Sequence, residues 1–204
     1  MEKKLIIFDC YGTLLTNSNG KAYSKFLQDN QLNIKNYYNL IMTTETIDWK
    51  SEIDFDKITE DTYLNSIDTF NKNIAEDIKS IKPYLENLTD YLDKTRKKHV
   101  VVVLSNLSKE YSLPINNFIS NYVDKVFLSY DIGYKKPTPE AFSFVKNWYK
   151  EKYGIIEDKN IIVVDDSHNN INYIKTTDMV GIHINNGNIE SPHSIKAFFD
   201  WILK

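Results

Sequence analysis

An aspartate closes the first apolar run of this 204-residue chain: Leu5-Ile6-Ile7-Phe8 leads directly into Asp9-Cys10-Tyr11-Gly12-Thr13-Leu14. A buried strand of that kind delivers Asp9 to the edge of a sheet, where open α/β sheets keep their chemistry. Three more clusters stand in the same position, at the end of an apolar run or in the loop just after one. They are Ser105-Asn106 after Val100 to Leu104, Lys135-Lys136-Pro137-Thr138-Pro139 between Gly133 and Glu140, and Asp165-Asp166-Ser167 after Ile161 to Val164. In a parallel sheet such ends lie along one edge, so a carboxylate, a hydroxyl, a lysine and two further carboxylates can converge. A carboxylate attacks phosphorus only if the repulsion between two anions is relieved, by a divalent cation and by fixed hydrogen-bond donors. Among the converging residue types, the hydroxyl and the lysine are donors and the carboxylates are ligands for a cation.

The elements that must position these groups are legible as a pattern. Leu5 to Phe8, Val100 to Leu104, Val126 to Leu128, Ile161 to Val164 and Met179 to Ile184 read as strands, several of them apolar at every position. Such strands are covered by helices on both faces. Pro83 to Lys97, Thr138 to Lys152 and Asn169 to Thr176 read as amphipathic helices, and a final helix carries Ile195, Phe198, Phe199 and Ile202. Strands alternating with helices predict an α/β fold with a Rossmann-like parallel sheet.

The stretch from Leu15 to Lys82 breaks that rhythm and shows no convincing strand. Ala22, Phe26 and Leu27 predict one helix, and Tyr37, Leu40 and Ile41 another. Phe55, Ile58, Leu64 and Ile67 predict a third, and Ile74, Ile78 and Ile81 a fourth that Pro83 ends or interrupts. The chain should return to the sheet through a helix beginning near Pro83, a suitable first-turn residue. The expected division is a core of residues 1–15 and 83–204 with a small helical bundle, 16–82, inserted into it.

Composition narrows the function classes. Hydrophobic content of 42% with 26% charged residues describes a soluble globular chain. A net charge of -3 gives no general attraction to nucleic acid. No run approaches the ~18 apolar residues of a membrane span. The first strand begins by Leu5, which leaves no room for a signal peptide. Cys10 is the single cysteine, so no intramolecular disulfide is possible. The expectation is a cytoplasmic protein with neither a membrane nor a nucleic-acid partner.

Taken singly, each cluster has a plainer reading. Asp9 could cap a turn, Ser105 could be an ordinary strand-end hydroxyl, and Asp165-Asp166 could favour a helix N-terminus. Lys135 reads as surface, whereas the Lys-Pro-x-Pro setting holds Lys136 rigidly. Together and in this order, the four clusters resemble the haloacid dehalogenase-like superfamily over nearly the whole chain. That family's pattern is a nucleophilic Asp in a D-x-[D/Y]-G-T turn, a Ser or Thr ending the second strand, a Lys just before Pro, and an acidic pair after a later strand. Asp9, Ser105, Lys136 and Asp165-Asp166 occupy those places, and the helical insertion resembles the family's cap. The resemblance implies a hydrolase whose substrate is a small phosphorylated molecule and whose cofactor is Mg2+. Asp9 would be the nucleophile, and Ser105, the Asn106 backbone N–H and Lys136 would bind the phosphoryl group. Asp9, the Tyr11 carbonyl, Asp165 and Asp166 would hold the metal.

Tyr11 keeps a rival reading open. Family phosphatases usually carry a second aspartate there as proton donor, whereas D-x-Y-G-T is usual in the metal-independent 2-haloacid dehalogenases. Against the rival, two extra carboxylates beside Asp9 would repel it if no cation were present. The inserted region also lacks any arginine to hold a haloacid carboxylate, Arg96 being the only one in the chain. A relative that binds without turnover is the third class. A phosphonatase would need a lysine from the cap, and Lys21, Lys25 and Lys50 are placed for that by location alone.

Overall fold

The computed structural model describes residues 3–18 and 20–204. Five strands, β1 (Leu5–Phe8), β2 (Val100–Ser105), β3 (Lys125–Leu128), β4 (Ile161–Asp165) and β5 (Val180–His183), form one sheet in the order β3-β2-β1-β4-β5. Every pairing is parallel. The three central strands are buried at every position, which is why they read as unbroken apolar runs. Alternate residues serve opposite faces. Ile6, Phe8, Val101, Val103, Ile162 and Val164 pack one side, against Leu92, Phe198 and Phe199. Leu5, Ile7, Val102, Leu104 and Val163 pack the other, against Phe142, Val145 and Ile174.

The helices, in chain order, are α1 (Lys21–Asp29), α2 (Ile34–Thr43), α3 (Trp49–Glu52), α4 (Glu60–Ser80), α5 (Leu88–Lys98), α6 (Leu113–Phe118), α7 (Ser129–Ile132), α8 (Pro139–Tyr153), α9 (His168–Ile174) and α10 (Ile195–Ile202). Among the described residues between α1 and α4 none is in a strand. The helices α1 and α4 pack together through an aromatic cluster: Phe70 lies 4.9 Å from Tyr23 and 5.3 Å from Phe26, and Trp49 lies 5.1 Å from Phe26, ring centre to ring centre. Where this insertion leaves and rejoins the sheet, the two chain segments pair. Thr16 N donates to Lys82 O at 2.9 Å and Tyr84 N to Leu14 O at 3.1 Å.

Two expectations are corrected. The third and fourth predicted helices are one, α4, which begins only at Glu60 with Thr59 as its cap. Ser66 and Asp77 lie on its buried face and interrupt the apolar signal there, while Leu64 is exposed. Pro83 does not start a helix. It pairs antiparallel with Leu15, and α5 begins at Leu88. The exit from the insertion is extended because it is bonded to the entry.

Candidate active site

Register brings the strand ends together. Phe8 pairs with both Val103 and Val164, so Asp9 leaves β1 beside the last residues of β2 and β4. Its backbone N–H still bonds Val164 O at 2.8 Å. The chain then turns sharply: Cys10 O accepts from the N–H groups of Leu14 and Leu15 at 2.8 and 2.9 Å. Gly12 sits in this turn at φ +87°, and a Cβ there would lie 2.1 Å from the Asp166 carboxylate. Only glycine satisfies both the left-handed backbone and the close approach.

Lys136 is the centre of the site. It is 2% exposed, and its Nζ donates to Asp9 Oδ1 and to Asp165 Oδ2, each at 2.6 Å. Its own backbone is clamped by Asn106, whose Oδ1 accepts from Lys136 N and whose Nδ2 donates to Lys136 O, both at 2.7 Å. The loop after β2 thereby sets the position of the loop before α8. Burial works against the charge on Lys136, but Asp165 and Asp9 outweigh it and hold the ammonium above its ordinary range.

Asp165 is fully buried and well supplied with donors. Besides Lys136 it accepts from Asn170 Nδ2 at 3.0 and 2.9 Å and from Ser167 N at 2.8 Å. Asp166 is less engaged: Thr13 Oγ1 lies 3.5 Å from its Oδ1. Carboxylate oxygens of Asp9, Asp165 and Asp166 all lie within 4.8 Å of one another. Burial raises the Asp9 pKa to about 7, with Asp165 and Asp166 adding to the rise and Lys136 opposing it. Burial and Asp165 raise Asp166 as well. One ammonium does not neutralise three crowded carboxylates. An all-oxygen donor set of this kind suits a hard divalent cation.

Tyr11 lies in the turn after Asp9 with its hydroxyl turned to protein: it donates to Tyr111 O at 2.6 Å. Burial first, then Cys10, Tyr111 and Asp77, push this phenol well above its ordinary pKa. Ser105 ends β2, is buried and lines the same cavity as Asp9, Asn106, Lys136, Asp165 and Asp166. Asp9, Tyr11, Ser105, Asn106, Lys136, Asp165 and Asp166 therefore meet at one place. Lys21, Lys25 and Lys50 are not among the cavity's lining residues.

Several groups that build the site had no sequence signal beyond their type. Asn170 holds Asp165. Asn186 Nδ2 donates to Gly12 O and Thr13 O at 3.0 and 2.9 Å and steadies the first turn from a loop near the end of the chain. The turn Lys109-Glu110-Tyr111, just beyond Ser105, reaches three parts of the insertion. Lys109 pairs with Glu45 at 3.0 Å, Glu110 accepts from the Tyr23 hydroxyl, and the Tyr111 hydroxyl donates to buried Asp77 at 2.8 Å. The insertion is thus fastened over the strand ends, and between them lies a cavity of about 640 Å³.

Comparison with known proteins agrees with this architecture. A HAD family enzyme from Bacteroides thetaiotaomicron, determined with magnesium and inorganic phosphate, superposes with a TM-score of 0.62 at 20% identity, over 93% of this chain and 98% of that one. A dehalogenase superposes with a TM-score of 0.58 at 14% identity, over 99% of this chain and 98% of that one. In sequence, a D-ribitol-5-phosphate phosphatase from Bacteroides thetaiotaomicron is 35% identical over 94 residues, a match spanning 40% of this chain and 41% of that protein. The family model for haloacid dehalogenase-like hydrolases matches residues 3–175. Its extent, with the parallel sheet and the convergence of strand ends on Asp9, establishes that the chain belongs to the haloacid dehalogenase-like hydrolases.

Proposed function

We propose that the protein is a magnesium-dependent phosphatase that releases phosphate from a small phosphorylated metabolite, with residues 16–82 serving as a cap over a core of 1–15 and 83–204. The observation that carries this reading is the packing of Asp9, Asp165 and Asp166 against one another, with Lys136 bonded to Asp9 and Asp165. The fold relative holding magnesium and phosphate, and the partial match to a sugar-alcohol phosphatase, support it.

Asp9, Asp166 and the Tyr11 carbonyl are the groups that would hold the cation, while Asp165 keeps Lys136 in place. Magnesium there would neutralise the carboxylates and the phosphoryl oxygens. An Asp9 oxygen attacks phosphorus, the P–O bond to the leaving group breaks, and an aspartyl-phosphate forms. Ser105 and the Asn106 N–H donate to the phosphoryl oxygens, and Lys136 offsets the charge that develops. Water then attacks the phosphorus, releasing phosphate and restoring Asp9.

The tethered Tyr11 favours one other reading, a metal-independent 2-haloacid dehalogenase in which Asp9 attacks carbon and halide leaves without a proton. Without a cation, however, the crowded carboxylates hamper the nucleophile. A screen of phosphate esters and 2-haloacids, with and without magnesium, tests both. Phosphate release that requires magnesium and vanishes in Asp9→Asn is expected. Chloride release from 2-chloropropionate without metal, with the esters inert, would establish the dehalogenase.

A further inference from the structure

The cavity over Asp9 is far larger than a phosphoryl group, so much of its wall faces whatever the phosphoryl group is attached to. That outer wall belongs to the insertion. Ile34, Ile41 and Met42 give it an apolar side, Tyr38 an aromatic one, and Asn17 and Ser18 neutral polar groups. Among the described lining residues, none supplied by the insertion carries a charge. Lys25 pairs with Asp29 at 2.7 Å and Lys109 with Glu45 at 3.0 Å, and neither lines the cavity.

The lining lysines come instead from the core. Lys136 is held by Asp9 and Asp165. Lys135 reaches across to the insertion, its Nζ 4.8 Å from the centre of the Tyr38 ring. That contact is a cation–π pair bridging the two sides of the cavity mouth.

We propose that this site selects phosphate monoesters whose leaving group is electrically neutral and partly apolar, and discriminates against those carrying a second anion. The reaction rests on the phosphatase reading above; the charge argument does not. A carboxylate or second phosphate on the leaving group would give up hydration against an insertion wall that supplies no countercharge, with Lys135 turned to the Tyr38 ring, and a desolvated, unpaired charge is disfavoured. A neutral group loses little on entry. Its hydroxyls find Asn17 and Ser18, and its carbon skeleton finds Ile41 and Met42.

Two matched pairs test this under saturating magnesium: 2-hydroxyethyl phosphate against phosphoglycolate, and phenyl phosphate against 4-carboxyphenyl phosphate. In the second pair the carboxylated member has the better leaving group, so preference for the neutral one is not a leaving-group effect. The neutral member should have the higher kcat/KM in both, by about tenfold or more, the scale set by leaving one polar group unpaired. Ser24→Lys or Met42→Lys places a cation on the wall and should narrow both gaps by accelerating the carboxylated members. Binding supplies an order independent of turnover: by calorimetry, 2-hydroxyethylphosphonate should bind more tightly than phosphonoacetate. If no ester releases phosphate, the phosphatase reading fails and the phosphonate order still decides this proposal. Equal or better use of the carboxylated esters overturns it, as does equal, reversed or undetectable phosphonate binding. Loss of a carboxylate preference in Lys135→Ala would instead identify that lysine as an anion receptor.

Discussion

The Tyr11 hydroxyl donates its proton to the backbone carbonyl of Tyr111, 2.6 Å away and a hundred positions along the chain. Because that proton is committed and burial raises the phenol, Tyr11 is a poor acid for a departing alkoxide. The rate should therefore fall steeply as leaving-group pKa rises across a series of phosphate esters. Tyr11→Asp should flatten that dependence and speed alkyl phosphates selectively. Tyr11→Phe should lose about 1 kcal/mol of stability, the usual net value of a hydrogen bond, and change kcat by less than about threefold. A hundredfold loss on alkyl phosphates in Tyr11→Phe would make the phenol the acid after all.

Lys136 spans Asp9 and Asp165 with two 2.6 Å contacts. Lys136→Ala should reduce kcat by about a thousandfold, as for loss of a fixed charge in a water-excluded site. Breaking a buried ion pair by removing one partner costs about 3–5 kcal/mol, so its Tm should fall as well. Asn106→Ala, which frees the Lys136 backbone, should show a smaller drop in kcat with KM little changed. Wild-type turnover in Lys136→Ala would remove the lysine from the chemistry.

Stability should depend on pH in an uncommon direction for a carboxylate. Burial and the neighbouring Asp165 and Asp166 raise Asp9 to about 7, above the 3.8 of a free side chain, despite Lys136. Between roughly pH 4 and 7 the folded protein without metal keeps a proton that the unfolded chain has released, so stability falls as pH rises through that window. A cation displaces the proton. Magnesium should accordingly raise Tm more at pH 7.5 than at pH 5, and Asp9→Asn should weaken the pH slope. Thermal melts with and without magnesium check this, and a larger magnesium effect at pH 5 contradicts it.

Gly12→Ala should damage both fold and metal site. The positive φ alone costs about 1–2 kcal/mol for a residue with a Cβ. The added carbon would also meet the Asp166 carboxylate at 2.1 Å and push it aside. Magnesium affinity measured by calorimetry should drop at least about tenfold, the lower scale for losing support around a metal ligand. Unchanged affinity would show that Asp166 is not a ligand.

Strand ends were legible in advance because burial on both faces forces unbroken apolar runs, and a charged residue closing such a run marks where the sheet meets the site. Asp9, Asp165 and Asp166 stand where such runs end, and register brings them beside Ser105, while Lys136 is held there by the Asn106 clamp on its backbone. Helices of the insertion were legible in kind but not in extent. Ser66 and Asp77 break the apolar period of α4, yet lie buried on its inner face. Asp77 accepts a hydrogen bond from Tyr111, a partner outside that helix. Pro83 has the chemistry of a helix start, but its pairing with Leu15, far away in the chain, holds it extended. Asn170 and Asn186, which hold the site, carry no pattern at all, and Asn106 is marked in sequence only by its place after β2, with no sign of the clamp its side chain makes on Lys136. A carboxamide bonds whatever backbone or carboxylate lies within about 3 Å, so the roles of Asn106 and Asn186 exist only once distant segments meet, while Asn170 reaches Asp165 five positions back across the start of α9. Spacing in one dimension records burial and turn chemistry; hydrogen bonds across 30 to 174 positions are decided by the tertiary structure that closes those distances.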